Sequence, residues 1–319
     1  MAYTAIDNPE LFFQVKTYTG DGGTTQALTL DGSENMQPDL VWVKMRSEGQ
    51  SHILVDSVRG ANKYLGSNHT GAEGTDINSV TAFGSDGFTV GNDNAVNKSS
   101  GTYVAWNWKE TATAGFDIVS YTGNSSDGTT VQDISHSLSA VPHWIIVKNK
   151  ADASNWAVYH KANTSAPQTE VIYLNLANAT GDDSAFFGDT APTSSQFRVG
   201  GDNGVNGNSD AMIAYLWSEK KGFSKFGSYI GNATGNGGGP FVYTGFKPAW
   251  VMIKNASAGS TDWLIFDNKR GGPVATYYGN NNKFFLEANE NDAEANETFD
   301  MYSNGFKIKI TNNFINGDG

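Results

Sequence analysis

The chain has 319 residues, of which 17% are charged, and its 33 Asp and Glu against 21 Lys and Arg give a net charge of −12. Phosphate binding needs a concentrated basic face and no Lys/Arg cluster occurs, so a nucleic-acid partner is excluded. The absence of cysteine excludes a disulfide framework, a thiol nucleophile and a thiolate-held metal, and no stretch approaches the roughly 18 apolar residues of a membrane span.

In chain order, the opening Met1-Ala2-Tyr3-Thr4 has neither the basic nor the apolar region of a leader, so no targeting is expected. Five short segments then follow. They are Tyr18-Thr19-Gly20, Pro38-Asp39-Leu40-Val41-Trp42-Val43-Lys44, Ser51-His52-Ile53-Leu54-Val55-Asp56, Asp86-Gly87-Phe88-Thr89-Val90-Gly91 and Tyr103-Val104-Ala105-Trp106-Asn107-Trp108-Lys109. The series returns as Tyr121-Thr122-Gly123, Pro142-His143-Trp144-Ile145-Ile146-Val147-Lys148, Asn155-Trp156-Ala157-Val158-Tyr159-His160, Ser195-Gln196-Phe197-Arg198-Val199-Gly200 and Ala214-Tyr215-Leu216-Trp217. A third passage gives Tyr229-Ile230-Gly231, Pro248-Ala249-Trp250-Val251-Met252-Ile253-Lys254, Asp262-Trp263-Leu264-Ile265-Phe266-Asp267 and Asn304-Gly305-Phe306-Lys307-Ile308-Lys309. Phe88, Phe197 and Phe306 are spaced 109 residues apart twice, and four matches in one order establish an internal threefold repeat of about 105 residues.

The segments are rich in Val, Ile, Tyr, Phe, Trp and Thr and are bounded by Gly/Asn/Asp/Ser clusters, which is a strand signature. Residues 306–310 alternate as a half-wet antiparallel strand does, whereas 144–147 are apolar throughout, as in a strand covered on both faces. Residues 211–221 and 291–300 are the best helix candidates, yet the first aligns with the alternating 101–109, and both read as strands. The expected fold is all-β, with three tandem antiparallel β-sandwich modules of jelly-roll or concanavalin-like type at 1–112, 113–222 and 223–319. The short joins predict close packing. The third module reaches Gly319 about four residues before a counterpart of 103–108 would begin, which leaves an open edge. Either the sequence continues, or Leu11-Phe12-Phe13 or a neighbouring chain supplies the strand.

Gln37 to Lys44, Asp56-Ser57-Val58-Arg59-Gly60, 85–91 and 103–109 together resemble repeat modules in virion proteins of marine tailed phages, including cyanophages. The resemblance is strong in the first repeat and looser in the others, where Ala214 to Trp217 replaces the Trp pair and 267–271 read Asp-Asn-Lys-Arg-Gly. It implies a virion location, as a structural, tail-fibre or appendage subunit among other virion proteins, and it carries no catalytic motif. A fold-level similarity to concanavalin-like and laminin-G-like sandwiches implies glycan binding.

Aromatic rings at repeated strand positions fill cores, so Trp42, Trp144, Trp250, Phe88, Phe197 and Phe306 read as structural. Alternation offers Trp108 and Trp156 as exposed sugar-stacking platforms, with Asp93, Asn94, Asp202 and Asn203 as polar partners. The same loops, with Asn92, Asn97, Asn206, Asn208 and Asp210, have the oxygen donors of a calcium site, but lack the spaced motif of one and read better as turns. Glu287, Glu290, Asp292, Glu294, Glu297 and Asp300 read as a solvated acidic face. Arg59 and Arg270, near Asp56 and Asp267, predict ion pairs securing strand ends. No paired-carboxylate motif, metal-ligand histidine spacing, nucleophile elbow or phosphate loop occurs, so no enzyme and no cofactor is expected. The expected role is assembly and host-surface attachment in a homo-oligomer, a trimer by preference, with many weak glycan contacts adding avidity. A ligand-free capsid decoration or connector protein is the alternative, and a polysaccharide depolymerase the third.

Overall fold

The computed structural model describes residues 4–235, 237–271 and 281–318. Strands make up 37% and helix 7%, the sheets are antiparallel and none closes on itself, so the chain is all-β. The first repeat contains β1 (Phe13–Thr19), β2 (Gln26–Thr29), β3 (Leu40–Met45), β4 (Ile53–Asp56), β5 (Lys63–Tyr64), β6 (Gly74–Thr75), β7 (Val80–Gly84), β8 (Gly87–Val90), the single-turn α1 (Asn94–Asn97) and β9 (Thr102–Trp108). The second contains β10 (Phe116–Thr122), β11 (Gln132–Ser135), β12 (Trp144–Asn149), β13 (Ala157–His160), β14 (Glu170–Tyr173), β15 (Gly181–Asp182), α2 (Ser184–Phe187), β16 (Gln196–Val199), α3 (Asn203–Asn206) and β17 (Ala211–Trp217). The third contains β18 (Phe241–Tyr243), β19 (Trp250–Ile253), β20 (Leu264–Asp267), β21 (Asn281–Glu287), β22 (Ala295–Tyr302), β23 (Gly305–Ile308) and α4 (Asn313–Asn316). Both helix candidates are strands, β17 and most of β22.

The last strand of the first repeat lies between the first and third. β9 pairs with seven residues of β1 and six of β3, and β17 pairs in the same way with β10 and β12. In the third repeat the sheet order is β18-β23-β22-β21-β20-β19, so β19, the counterpart of β3 and β12, is an edge. Residues 225–230, the counterpart of β1 and β10, form no strand. Leu11-Phe12-Phe13 does not supply what is missing, because Phe13 opens β1 against Trp108 of β9.

Each central strand is apolar on both faces because each faces two cores. Val41, Val43 and Met45 point toward β2, β7, β8 and α1, giving a β-sandwich-like packing. Leu40 and Trp42, on the opposite face, join Trp108, Trp144, Trp217 and Trp263 in one cluster fed by all three repeats. A fully buried indole removes roughly 200 Å² from water, an upper estimate of about 5 kcal/mol at ~25 cal/mol/Å².

Hydrogen bonds close the three repeats cyclically. Trp156 Nε1 donates to the Gly66 carbonyl at 2.9 Å and Trp263 Nε1 to the Tyr173 carbonyl at 2.9 Å. The aligned residue of the first repeat is His52, whose Nε2 reaches the Glu287 carbonyl at 2.9 Å. Trp42 Nε1, which can only donate, occupies His52 Nδ1 at 2.8 Å, so the imidazole proton sits on Nε2. Backbone bonds follow the same pattern, from Gln50, Ser154 and Thr261 to the carbonyls of Asn291, Thr70 and Ala177. A further set runs from Glu73, Thr180 and Glu294 to the carbonyls of Lys150, Ala256 and Arg46. Each repeat thus meets its neighbour through equivalent positions, and the third returns to the first. Trp156→Phe keeps an apolar ring in place but removes the N–H and orphans the Gly66 carbonyl, so a loss of at least about 1–2 kcal/mol is expected. Trp156→Ala, which also opens a cavity, should cost about 3–5 kcal/mol, with guanidinium denaturation as the measurement.

Candidate functional site

Trp108 and Trp156 are not surface platforms. Trp156 is completely buried and Trp108 is 8% exposed, because both point into the cluster that the three repeats share. Alternation along a single strand marks a face, but a face turned away from one core is here turned toward another. Trp42 and Trp144 are buried and Trp250 half-buried at their repeated position, as are Phe88, Phe197 and Phe306 in the cores of their own repeats.

The polar residues proposed beside those rings terminate helices. Asp93 and Asp202 cap α1 and α3, accepting from the backbone of Ala95 and Gly204, and Asn94 and Asn203 are the exposed first residues of those turns. Asn97, Asn206 and Asn316, the last residues of α1, α3 and α4, are fully buried. Each accepts from a loop backbone, that of Asp21, Asn124 or Asn232, and donates to a carbonyl, that of Gly23, Thr130 or Thr234. Their amides hold the turn after the first segment of each repeat. Among the described residues no group of three or more His, Asp or Glu is placed to share a metal ion.

The acidic run is divided instead of forming one solvated face. Glu290 and Asp292 are exposed, Glu294 pairs with Arg46 and Arg270, and Asp300 is buried beside Lys309. The side chain of Glu297 lies outside the described residues. Arg59 and Arg270 each pair through Nε with the carboxylate three residues earlier, Asp56 and Asp267, with all four side chains buried. The carboxylate oxygen that takes the arginine Nε, Oδ2, also accepts from the neighbouring repeat, in Asp56 from Tyr215 at 2.7 Å and in Asp267 from Trp106 Nε1 at 2.9 Å, while Oδ1 accepts from the arginine's backbone N–H.

The second repeat breaks this pattern. His160 aligns with Asp56 and Asp267, and Asn163 with the two arginines. Its neighbour in the cyclic order is the third repeat, in which no strand among the described residues corresponds to β9 or β17. The space is a cavity of about 800 Å³, bounded by residues 224–229 on one side and β19 on the other. His160, Trp108, Trp217 and Trp250 line its inner wall, and Phe12 and Phe13 line another part of it. Trp250 Nε1 is buried with no hydrogen-bond partner among the described residues. Phe226 leans into the gap, its ring centroid 6.2 Å from that of Trp144 and 6.4 Å from that of His160.

Each anchor segment ends in a lysine at an equivalent position. Lys44, Lys148 and Lys254 each donate to the carbonyl of the next residue, Met45, Asn149 and Asn255, at 2.8–2.9 Å. Lys44 also reaches the Asn291 and Asp292 carbonyls, and Lys148 that of Thr70, so these ammonium groups join repeats. Burial brings all three down to about 8. An unfolded lysine titrates near ~10.4, so between these values the unfolded chain holds more protons and stability rises with pH. Urea midpoints are expected to increase from pH 8 to pH 10, and Lys148→Met should remove about a third of that slope.

No curated protein and no solved structure matches this chain. A family model described as a domain of unknown function, DUF7483, matches residues 8–319. With nearly its whole length covered by that one model, repeats and cavity included, the chain belongs to the DUF7483 family.

Proposed function

We propose that the three repeats are three β-sandwich modules locked into one rigid body, and that the chain is a structural subunit of a phage particle, in a tail fibre or another appendage. The cyclic hydrogen-bond pattern around a shared aromatic core carries this reading. A chain that uses its tryptophans internally, to join modules through equivalent contacts, is suited to transmitting force and position between neighbours in an assembly. The placement on a virion rests on the resemblance of the first repeat to phage virion modules. No catalytic role is assigned. Contact with other virion proteins, and with further copies of the chain, would use the outer surfaces.

Host-surface glycan attachment is a second reading, and a different set of rings favours it. Phe241, Tyr243 and Tyr302 are 44%, 64% and 41% exposed, and the Phe241 and Tyr302 rings lie 5.9 Å apart on β18 and β22. Such a strip presents apolar ring faces with a hydroxyl at the rim, which suits a sugar.

Immunogold labelling of intact particles with antibody to this chain tests the main reading. Gold on the tail or its appendages is the expected result. Gold over the head would replace the appendage with decoration of the capsid, and unlabelled particles would overturn the virion role. For the second reading, Tyr243→Ala should weaken adsorption to host cells without lowering the thermal midpoint, and unchanged adsorption would remove glycan attachment through this strip.

A further inference from the structure

We infer that the cavity between residues 224–229 and β19 is a receptor for one added β-strand whose side chains repeat the pattern of β17. The two other repeats supply the template. There the same slot is filled by β9 or β17, hydrogen-bonded on both sides over seven and six residues. Val104, Trp106 and Trp108, or Ile213, Tyr215 and Trp217, point into the shared core, while Ala105 or Ala214 points into the repeat's own core. In the third repeat both walls stand ready. Tyr229 already donates to the Ile315 carbonyl at 2.7 Å, as Tyr18 and Tyr121 do to Val96 and Val205. β19 is a sheet edge with main-chain groups available for strand addition.

His160 specifies one residue of the incoming strand. At the fifth position β9 places a tryptophan and β17 a tyrosine, and each donates to an aspartate of the next repeat. Here the facing group is an imidazole. Its Nδ1 accepts from the Ala162 backbone at 3.2 Å, so its proton is on Nε2, which has no protein partner among the described residues. An indole, which only donates, cannot satisfy that N–H, whereas a tyrosine hydroxyl accepts it. At the seventh position a tryptophan would join Trp108 and Trp217, whose centroids are 6.2 Å apart. A second copy of this chain is a poor donor, because its own β9 and β17 are locked at the centres of sheets.

The test titrates the 319-residue chain with a synthetic peptide of residues 210–219, carrying terminal lysines for solubility, followed by calorimetry and hydrogen exchange. Saturable one-to-one binding that protects the amides of Trp250–Ile253 is expected. Replacing the peptide's Tyr215 by Phe or Trp should weaken binding roughly tenfold by leaving the His160 N–H unpaired. Replacing its Ala214 by Pro should abolish binding by breaking the ladder. On a His160→Asp chain the tryptophan peptide should recover, as Trp106 does on Asp267. The inference is overturned by absence of saturable binding, by equal binding of the proline peptide, or by a peptide-free dimer in which β19 is already protected. None of these outcomes depends on where the chain sits on a particle.

Discussion

The structure depends on a single constraint, which is that the principal sheet of each repeat is apolar on both faces. One face is satisfied inside the repeat, where Val41, Val43 and Met45 meet the smaller strands. The other, with Leu40, Trp42, Trp106 and Trp108, requires the neighbouring repeats to cover it. Exposing that many large rings to water would cost more than the marginal stability of a domain of this size, so the repeats cannot behave as independent beads. Dispersion and apolar burial have no direction, however, and it is the ring N–H of Trp156, Trp263 and His52, each on a carbonyl of the next repeat, that sets their mutual angle.

Buried polar groups carry the rest of the specificity. The amides of Asn97, Asn206 and Asn316, the ammonium groups of Lys44, Lys148 and Lys254, and the Asp–Arg pairs of the first and third repeats are removed from water with partners already in place. Each would be costly if its partner moved, since an unpaired buried charge or amide loses its hydration without compensation. The lysines replace water by carbonyl dipoles that belong partly to the adjacent repeat, which couples local order to closure of the ring.

The departures from threefold equivalence coincide at one place. His160 and Asn163 stand where the other repeats have an Asp–Arg pair, and among the described residues no strand lies opposite them to cover such a pair. A buried aspartate facing an empty slot would lack the donor that Tyr215 or Trp106 provides elsewhere, whereas burial holds His160 neutral by bringing it down to about 4.

The strands, their repeat and the all-β class were legible in the residues, because β-branched and aromatic runs between Gly/Asn/Asp clusters report local backbone preference and strand periodicity directly. The equivalences of His52 with Trp156 and Trp263, and of His160 with Asp56 and Asp267, were also written in the alignment of the third segment. Their meaning was not, because a hydrogen bond between positions 90 residues apart or more leaves no local pattern. The burial of Trp108 and Trp156 could not be read for the same reason. Alternation distinguishes the two faces of a strand, but whether the second face meets water or another repeat is decided only when the repeats pack, by the apolar area they must jointly hide.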